Sequence, residues 1–263
     1  MKNILLLVHS DDGQEARLQV ALDVTRALGG HLECLDVTAM PVMVPDYYGA
    51  GAEVVVLAEL REQAEANRKR LEQRLAVEDI PWSIRTSFGT YVEAMTNASE
   101  LADLMVVSSR RAQPDRRAQP ERLPLRARRP ILAVPPECKG LDVAGRALIA
   151  WDGSQPCNEA VRAAVPLLAR AQEVAVLEVN QSEGAFAMTD VAAYLSRHGI
   201  SAELVERNSD GSVAETILDH ASHRASDYIV MGAYGKPRTA EAVFGGVTRT
   251  MLLESPIPLF VAH

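Results

Sequence analysis

Short, uninterrupted apolar runs alternate along this chain with longer segments whose apolar residues recur at helical spacing. In the first half, strand-like segments occupy residues 4–8, 31–37, 82–85, 104–107 and 131–134. The continuous apolar runs among them are typical of strands buried on both faces, as in a parallel sheet. Between the first two, apolar residues recur at helical spacing from Leu18 to Leu28 and stop at Gly29 and Gly30. Strands alternating with helices predict right-handed βαβ units in a parallel, doubly wound sheet.

The second half of the chain repeats this order. Its strand-like segments occupy residues 147–151, 174–179, 202–206, 228–231 and 259–261. Each half has a glycine before a capping box (89–93 and 211–215), an aspartate before the fourth strand (Asp103 and Asp227), and a proline before the last. This duplication predicts two α/β domains, residues 1–138 and 142–263, each a five-stranded parallel doubly wound sheet flanked by helices.

Three local signals refine this scheme. Prolines and glycines predict a loop over residues 38–51, followed by a long charged helix over residues 52–78. Pro166, inside a helical pattern that extends to about residue 170, predicts a kink or an interruption. Ser154, with Pro156 two positions later, suits a helix N-cap better than a nucleophile, because no base is indicated beside it.

Composition narrows the class of protein. The chain has 263 residues, 48% of them hydrophobic, and a formal net charge of −8, which argues against nucleic acid as the main partner. Three scattered cysteines favour a reducing compartment without a disulfide framework. No apolar run approaches the ~20 residues that span a bilayer. The sequence therefore predicts a cytoplasmic protein that has neither a membrane nor a nucleic-acid partner.

The most informative stretch follows the apolar run at residues 228–231. Gly232 and Gly235 come first, and Gly245 and Gly246 precede a predicted helix start at residues 247–253. Glycines let backbone N–H groups approach a phosphate closely, and a helix N-terminus adds unpaired donors. By spacing alone, these glycines form either an anion cradle or ordinary turns.

The pattern G-x2-G-x9-G resembles the nucleotide-binding signature of the universal stress protein family, and in particular of its tandem, two-repeat bacterial members. One position departs from it, because Gly246 stands where the nucleotide binders usually have Ser or Thr. The resemblance implies an adenine-nucleotide alpha-hydrolase-like fold and ATP as the ligand, alone or with Mg²⁺. It implies that Asp152 holds the ribose, that Val179 and Met231 flank the adenine, and that the four glycines surround the ribose and phosphates. The full binding set is Asp152, Gly153, Ser154, Val179, Met231, Gly232, Gly235, Lys236, Gly245, Gly246, Val247 and Thr248.

The two halves are not equivalent at these positions. The first half has residues 9–11 (HSD) over residues 152–154 (DGS), and 108–111 (SSRR) over 232–235. It contains no glycine from residue 90 to residue 139. A phosphate cradle needs close backbone approach, so we assign no nucleotide to the first half.

Two other clusters receive plainer interpretations. Residues 110–129 contain eight arginines, opposed by Asp115 and Glu121. They form either an anion or RNA contact or a solvated loop, and the absence of interleaved aromatic residues favours the loop. His220 and His223 have metal-ligand spacing, but no third ligand is near in sequence, which favours surface histidines.

Three functions remain open: an ATP-binding stress-response protein, a weak ATP hydrolase, and a partner-binding scaffold without nucleotide. Lys236 and Arg249 offer positive charge, but no second carboxylate or base is indicated, which favours binding over catalysis. The last strands of the halves are short and follow Pro130 and Pro258, as edge strands often do. We therefore expect these strands to pair within one chain as a pseudo-dimer, with homodimer formation left open.

Overall fold

The computed structural model of this protein describes residues 1–39, 52–109, 120–180, 186–209, 211–234 and 246–263. The strands of the first half are β1 (Asn3–Val8), β2 (His31–Ala39), β3 (Trp82–Gly89), β4 (Leu104–Ser108) and β5 (Ile131–Val134). Those of the second half are β6 (Arg146–Trp151), β7 (Glu173–Val179), β8 (Ala202–Arg207), β9 (Tyr228–Gly232) and β10 (Leu259–Ala262).

Within the described residues, the strands form one ten-stranded sheet in the order β3-β2-β1-β4-β5-β10-β9-β6-β7-β8. All pairs within each half are parallel, as the apolar runs predict. The halves join through β5 and β10, which pair antiparallel with Leu132 opposite Phe260. The internal pairing of the two last strands is thus confirmed, and it merges the two five-stranded sheets into one. The division into residues 1–138 and 142–263 stays a prediction.

Helices cover both faces of the sheet. They are α1 (Gln14–Leu28), α2 (Ala52–Leu75), α3 (Tyr91–Ala98), α4 (Leu123–Ala127), α5 (Gln155–Leu168), α6 (Met188–Arg197), α7 (Val213–His223) and α8 (Gly246–Glu254). One core cluster packs α1, α2, α5 and α6 against alternate strand residues, and the other packs α3, α4, α7 and α8 against the opposite face. No described helix has both the length and the apolarity needed to cross a membrane.

Local sequence signals are borne out in most places and fail in three. Thr90 caps α3 by accepting from the Glu93 backbone N–H, and Gly29 ends α1 with φ of 56°. Ser212 is the N-cap of α7 but its side chain makes no capping hydrogen bond, so the second capping box is incomplete. Pro166 does not interrupt α5, which continues to Leu168. Pro166 has no N–H to donate to the carbonyl of Arg162, yet the helix continues for two more residues. The loop predicted from residue 38 begins later, since β2 includes residues 38 and 39, and its remainder lies outside the described residues.

The duplication extends to the start of each half. Asp103, just before β4, accepts a hydrogen bond from the backbone N–H of Asn3 (2.9 Å). Asp227, just before β9, accepts one from the backbone N–H of Arg146 (2.7 Å). The two aspartates thus fix the first residues of β1 and β6 in the same way.

Candidate functional site

The strand order reverses beside the first strand of each half. In the second half, β7 and β8 lie on one side of β6, whereas β9 and β10 lie on the other. In open parallel sheets, ligands bind beyond the carboxyl ends of the strands at such a reversal. The residues that follow β6 and β9 therefore define the candidate site of the second half.

The turn after β6 is held by its own polar groups. Asp152 is exposed, and its Oδ1 accepts a hydrogen bond from the backbone N–H of Ser154 (3.0 Å). Gly153 has φ of 64°, a left-handed conformation that favours glycine. Ser154 is the N-cap of α5, because its Oγ accepts from the backbone N–H of Cys157 (3.3 Å). The turn thus presents the Asp152 carboxylate to solvent at the end of β6.

Gly232, the last residue of β9, lies against the first turn of α5. A Cβ at this position would lie 2.4 Å from the backbone nitrogen of Cys157 and 2.7 Å from the carbonyl carbon of Pro156. Only a residue without a side chain allows the helix to approach this strand so closely. Gly232 therefore brings the β6–α5 turn next to the end of β9, a packing role that the glycine pattern alone did not reveal.

The other predicted binding residues differ in accessibility. Val179, at the end of β7, is partly buried, and Met231 is 4% exposed. Gly246 begins α8 and is exposed, whereas Thr248 is 5% exposed and packs inward. Val247 is partly buried. Gly235, Lys236 and Gly245 lie outside the described residues.

The chain leaves β9 beside the end of β10. Ala233 donates its backbone N–H to the carbonyl of Ala262 (2.8 Å), and His263 donates from Nδ1 to the carbonyl of Ala233 (2.8 Å). Tyr234 has φ of 61° and its ring meets that of His263 edge-on, with 6.4 Å between centroids. Sequence analysis did not identify His263, because its contact depends on the parallel pairing of β9 and β10.

Cys157 was also missed as a neighbour of the site. Burial raises the pKa of its thiol to about 12, and its Sγ–H donates to the carbonyl of Ala150 (3.3 Å). The side chain is therefore a protonated structural thiol and not a nucleophile.

Metal ligation finds no support in the described residues. No group of three or more His, Cys, Asp and Glu side chains there is arranged to hold an ion. His223 uses Nδ1 in a contact to the backbone carbonyl of Asp219 (2.7 Å). A carbonyl oxygen only accepts, so this nitrogen carries the proton and is not a metal ligand in this arrangement.

The equivalent turn of the first half is occupied by protein groups. His9 Nε2 lies 2.8 Å from an Asp11 carboxylate oxygen, and the His9 ring stacks on Tyr91 with 4.5 Å between centroids. Asp11 also contacts Arg17, a fully buried residue that sequence analysis did not identify. The available signal was its position on the apolar face of α1, four residues before Ala21.

Comparison with known proteins finds relatives of this chain in both sequence and fold. Residues 144–263 match the model of the Universal stress protein family. A universal stress protein of Synechocystis sp. is 25% identical over 290 residues, covering 98% of this chain and 99% of the relative. A universal stress protein structure from Archaeoglobus fulgidus has a TM-score of 0.75 at 18% identity, covering 99% of this chain and 96% of that one. A functionally unknown protein from Pseudomonas aeruginosa has a TM-score of 0.58 at 15% identity, covering 100% and 92% of the two chains.

The two solved structures share the fold of the whole chain, with both repeats. The family model covers the second repeat, and the Synechocystis relative extends over both. The second repeat, residues 144–263, therefore matches the universal stress protein family, and the whole chain has the fold of a solved universal stress protein.

Proposed function

We propose that the second repeat binds one ATP beyond the carboxyl ends of β6 and β9, and that the protein acts in a stress response by binding rather than by catalysis. The observation that carries this proposal is the convergence of the Asp152 turn and Gly232 at the strand-order reversal. The match of residues 144–263 to the universal stress protein family supports the choice of an adenine nucleotide. The buried, free thiols of Cys34 and Cys157 fit a reducing, cytoplasmic setting.

In this proposal the ribose lies against Asp152. Its carboxylate is exposed and already oriented by the Ser154 backbone N–H, so a ribose hydroxyl donates to it without disturbing the turn. Val179, half-covered at the end of β7, offers apolar surface to the adenine. Met231 contributes little surface there, since its side chain is almost fully covered by the core.

The phosphates lie toward the start of α8, because the N–H groups and the dipole at a helix N-terminus favour negative charge. Gly246 is the first residue of α8, and a Cβ placed on it meets no atom of the described residues within 4 Å. Its φ lies outside the left-handed region. A serine therefore fits there without strain. The glycine lacks the hydroxyl donor that relatives with Ser or Thr would have, so the wild type is expected to bind ATP more weakly than a Gly246→Ser variant.

The experiment is calorimetric titration of the full chain with ATP. The Gly246→Ser change should tighten binding by about tenfold or more, since a hydrogen bond to a charged group contributes about 1.5–3 kcal/mol. Gly246→Ala is the matched control, because it adds the Cβ without the hydroxyl and should leave the affinity unchanged. Equal affinity in all three proteins would place the phosphates elsewhere.

Asp152→Asn supplies the second comparison. Asparagine keeps a side-chain oxygen for the Ser154 backbone N–H but loses the charge, so the turn persists while ATP affinity should fall by about 10-fold or more. A Gly245→Val change should abolish binding, because a β-branched side chain would occupy the space of the phosphates. Full retention of affinity in both variants would overturn the proposed site.

A further inference from the structure

Arg17 is the largest fully buried side chain in the described part of the protein, and each nitrogen of its guanidinium has a partner. Nε donates to the carbonyl of Leu7 (3.1 Å), and Nη2 donates to the carbonyl of His9 (3.2 Å). Nη1 donates to both carboxylate oxygens of Asp11 (2.9 and 3.0 Å) and to the hydroxyl of Ser108. The partners come from the end of β1, the turn after it and the end of β4. Arg17 therefore lies at the strand-order reversal of the first half.

The strand pairing beside the guanidinium is one position shorter than its counterpart in the second half. In the second half, β6 and β9 pair over four positions, ending with Ala150 opposite Met231. In the first half, β1 and β4 pair over three positions, ending with Leu6 opposite Val106. The carbonyl of Leu7, one residue beyond the last pair, bonds to Arg17 instead.

The matching positions of the second half show what Arg17 replaces. Leu7 and Ala150 are equivalent, each lying three residues after the first paired residue of its strand. Arg17 Nε donates to the Leu7 carbonyl, and Cys157 Sγ donates to the Ala150 carbonyl. Ser108 is the counterpart of Gly232, the glycine that contacts the backbone of Cys157. A small thiol and a glycine in one half thus correspond to an arginine and a serine in the other.

We propose that the strand-end crevice of the first half is a guanidinium site that the chain fills with its own Arg17, which closes this half to external ligands. The site has the chemistry that a planar cation requires: a carboxylate, a hydroxyl and two backbone carbonyls around one plane. Both carboxylate oxygens of Asp11, in the β1–α1 turn, accept hydrogen bonds from Arg17. This inference concerns the first half and holds whether or not the second half binds ATP.

The electrostatics agree with a closed, paired site. Burial alone would raise the pKa of Asp11, but the hydrogen bond with His9 and the charge of Arg17 together lower it. Burial lowers the pKa of Arg17, and Asp11 counteracts that shift. A buried cation without its partners is costly, so the site is stable only when both charges are present.

The test is chemical rescue of an Arg17→Ala variant of the full chain. Without the guanidinium, the partly buried carboxylate of Asp11 loses the cation that it pairs with. The melting temperature should therefore fall by about 10 °C. Guanidinium or ethylguanidinium at about 20 mM should bind once per chain and recover part of that loss, while ethylammonium, which lacks the planar fork, should not. The wild type should bind none of these ions, because Arg17 fills the site.

Arg26→Ala is the matched control on the same helix. Arg26 is 41% exposed and pairs with Glu78 and Asp79 at the surface, so its loss should shift the melting temperature by only a few degrees, with no rescue by guanidinium. The proposal would be overturned if ethylammonium rescued Arg17→Ala as well as the guanidinium ions do, or if none of these ions rescued it.

A measurement on the wild type covers the case in which Arg17→Ala does not fold. Hydrogen exchange by NMR should show the Arg17 Nε–H protected by about 100-fold or more relative to exposed arginines, since it is buried and bonded to the Leu7 carbonyl. Ser108→Ala, which removes one acceptor, should reduce that protection. Exchange as fast as that of Arg26 would show that the crevice is open.

Discussion

Replacing Gly232 by alanine is expected to separate β9 from the first turn of α5. The added Cβ would lie 2.4 Å from the Cys157 nitrogen, 2.7 Å from the Pro156 carbonyl carbon and 2.8 Å from the Cys157 Cα. All three are backbone atoms, so no side-chain rotation relieves the contact. The φ of Gly232 is not left-handed, and the whole effect therefore comes from packing.

The magnitude follows from this overlap. Overpacking of a well-filled interior costs about 1–3 kcal/mol. For a chain of this size each kcal/mol corresponds to about 2–4 °C, so the melting temperature should fall by roughly 2–12 °C. Movement of α5 also displaces Ser154 and the Asp152 turn, so ATP affinity should fall together with stability.

The assay pairs thermal unfolding with ATP titration, and Gly246→Ala is the control. A Cβ at Gly246 meets no atom of the structurally described part of the chain within 4 Å, so that change should leave both stability and affinity near the wild-type values. The reasoning would be refuted by a Gly232→Ala protein that melts with the wild type. It would also be refuted if both alanine variants lost stability equally.

Two further predictions concern charge and chemistry. Asp36 is 4% exposed, and burial raises the pKa of its carboxyl group, with Arg68 opposing the shift. Because the folded protein disfavours the ionised carboxylate, Asp36 destabilises the fold at pH values above the pKa that it has in the unfolded chain. Asp36→Asn should therefore raise the melting temperature at neutral pH, and this gain should disappear as the pH falls below about 4, the pKa of the unfolded chain. A gain that stays constant from about pH 3 to about pH 7 would show that the charge of Asp36 is not its cause. With saturating ATP and Mg²⁺, phosphate release should stay far below about 1 s⁻¹, because the site offers no evident base or second carboxylate; steady turnover at that rate, lost in Asp152→Asn, would identify an enzyme.

The repeat pattern was enough to predict the architecture. Apolar runs bounded by glycine and proline placed each strand, and prolines before β5 and β10 predicted the pairing of these two strands, in which Leu132 lies opposite Phe260. These signals are local in the sequence or recur in both halves, so they can be recognised without knowledge of tertiary contacts. The equivalent roles of Asp103 and Asp227 follow from the same duplication.

The details of the site were less accessible from sequence. Gly232 was predicted to lie beside a ligand, but a Cβ added there would first meet the backbone of Cys157, a contact set by the packing of α5 on β9. Arg17 was missed because its side chain crosses from α1 to the ends of β1 and β4, which no local pattern encodes. Loss of glycines predicted that the first half lacks a nucleotide, but not which residue fills the space.

The number of nucleotides per chain tests the central claim most directly. Native mass spectrometry of the full-length protein with ATP should show a single adduct per chain that saturates at one and is lost in Gly245→Val. A second adduct would mean that the Arg17 crevice admits a nucleotide. Absence of any adduct in the wild type and in Gly246→Ser would contradict nucleotide binding by this protein.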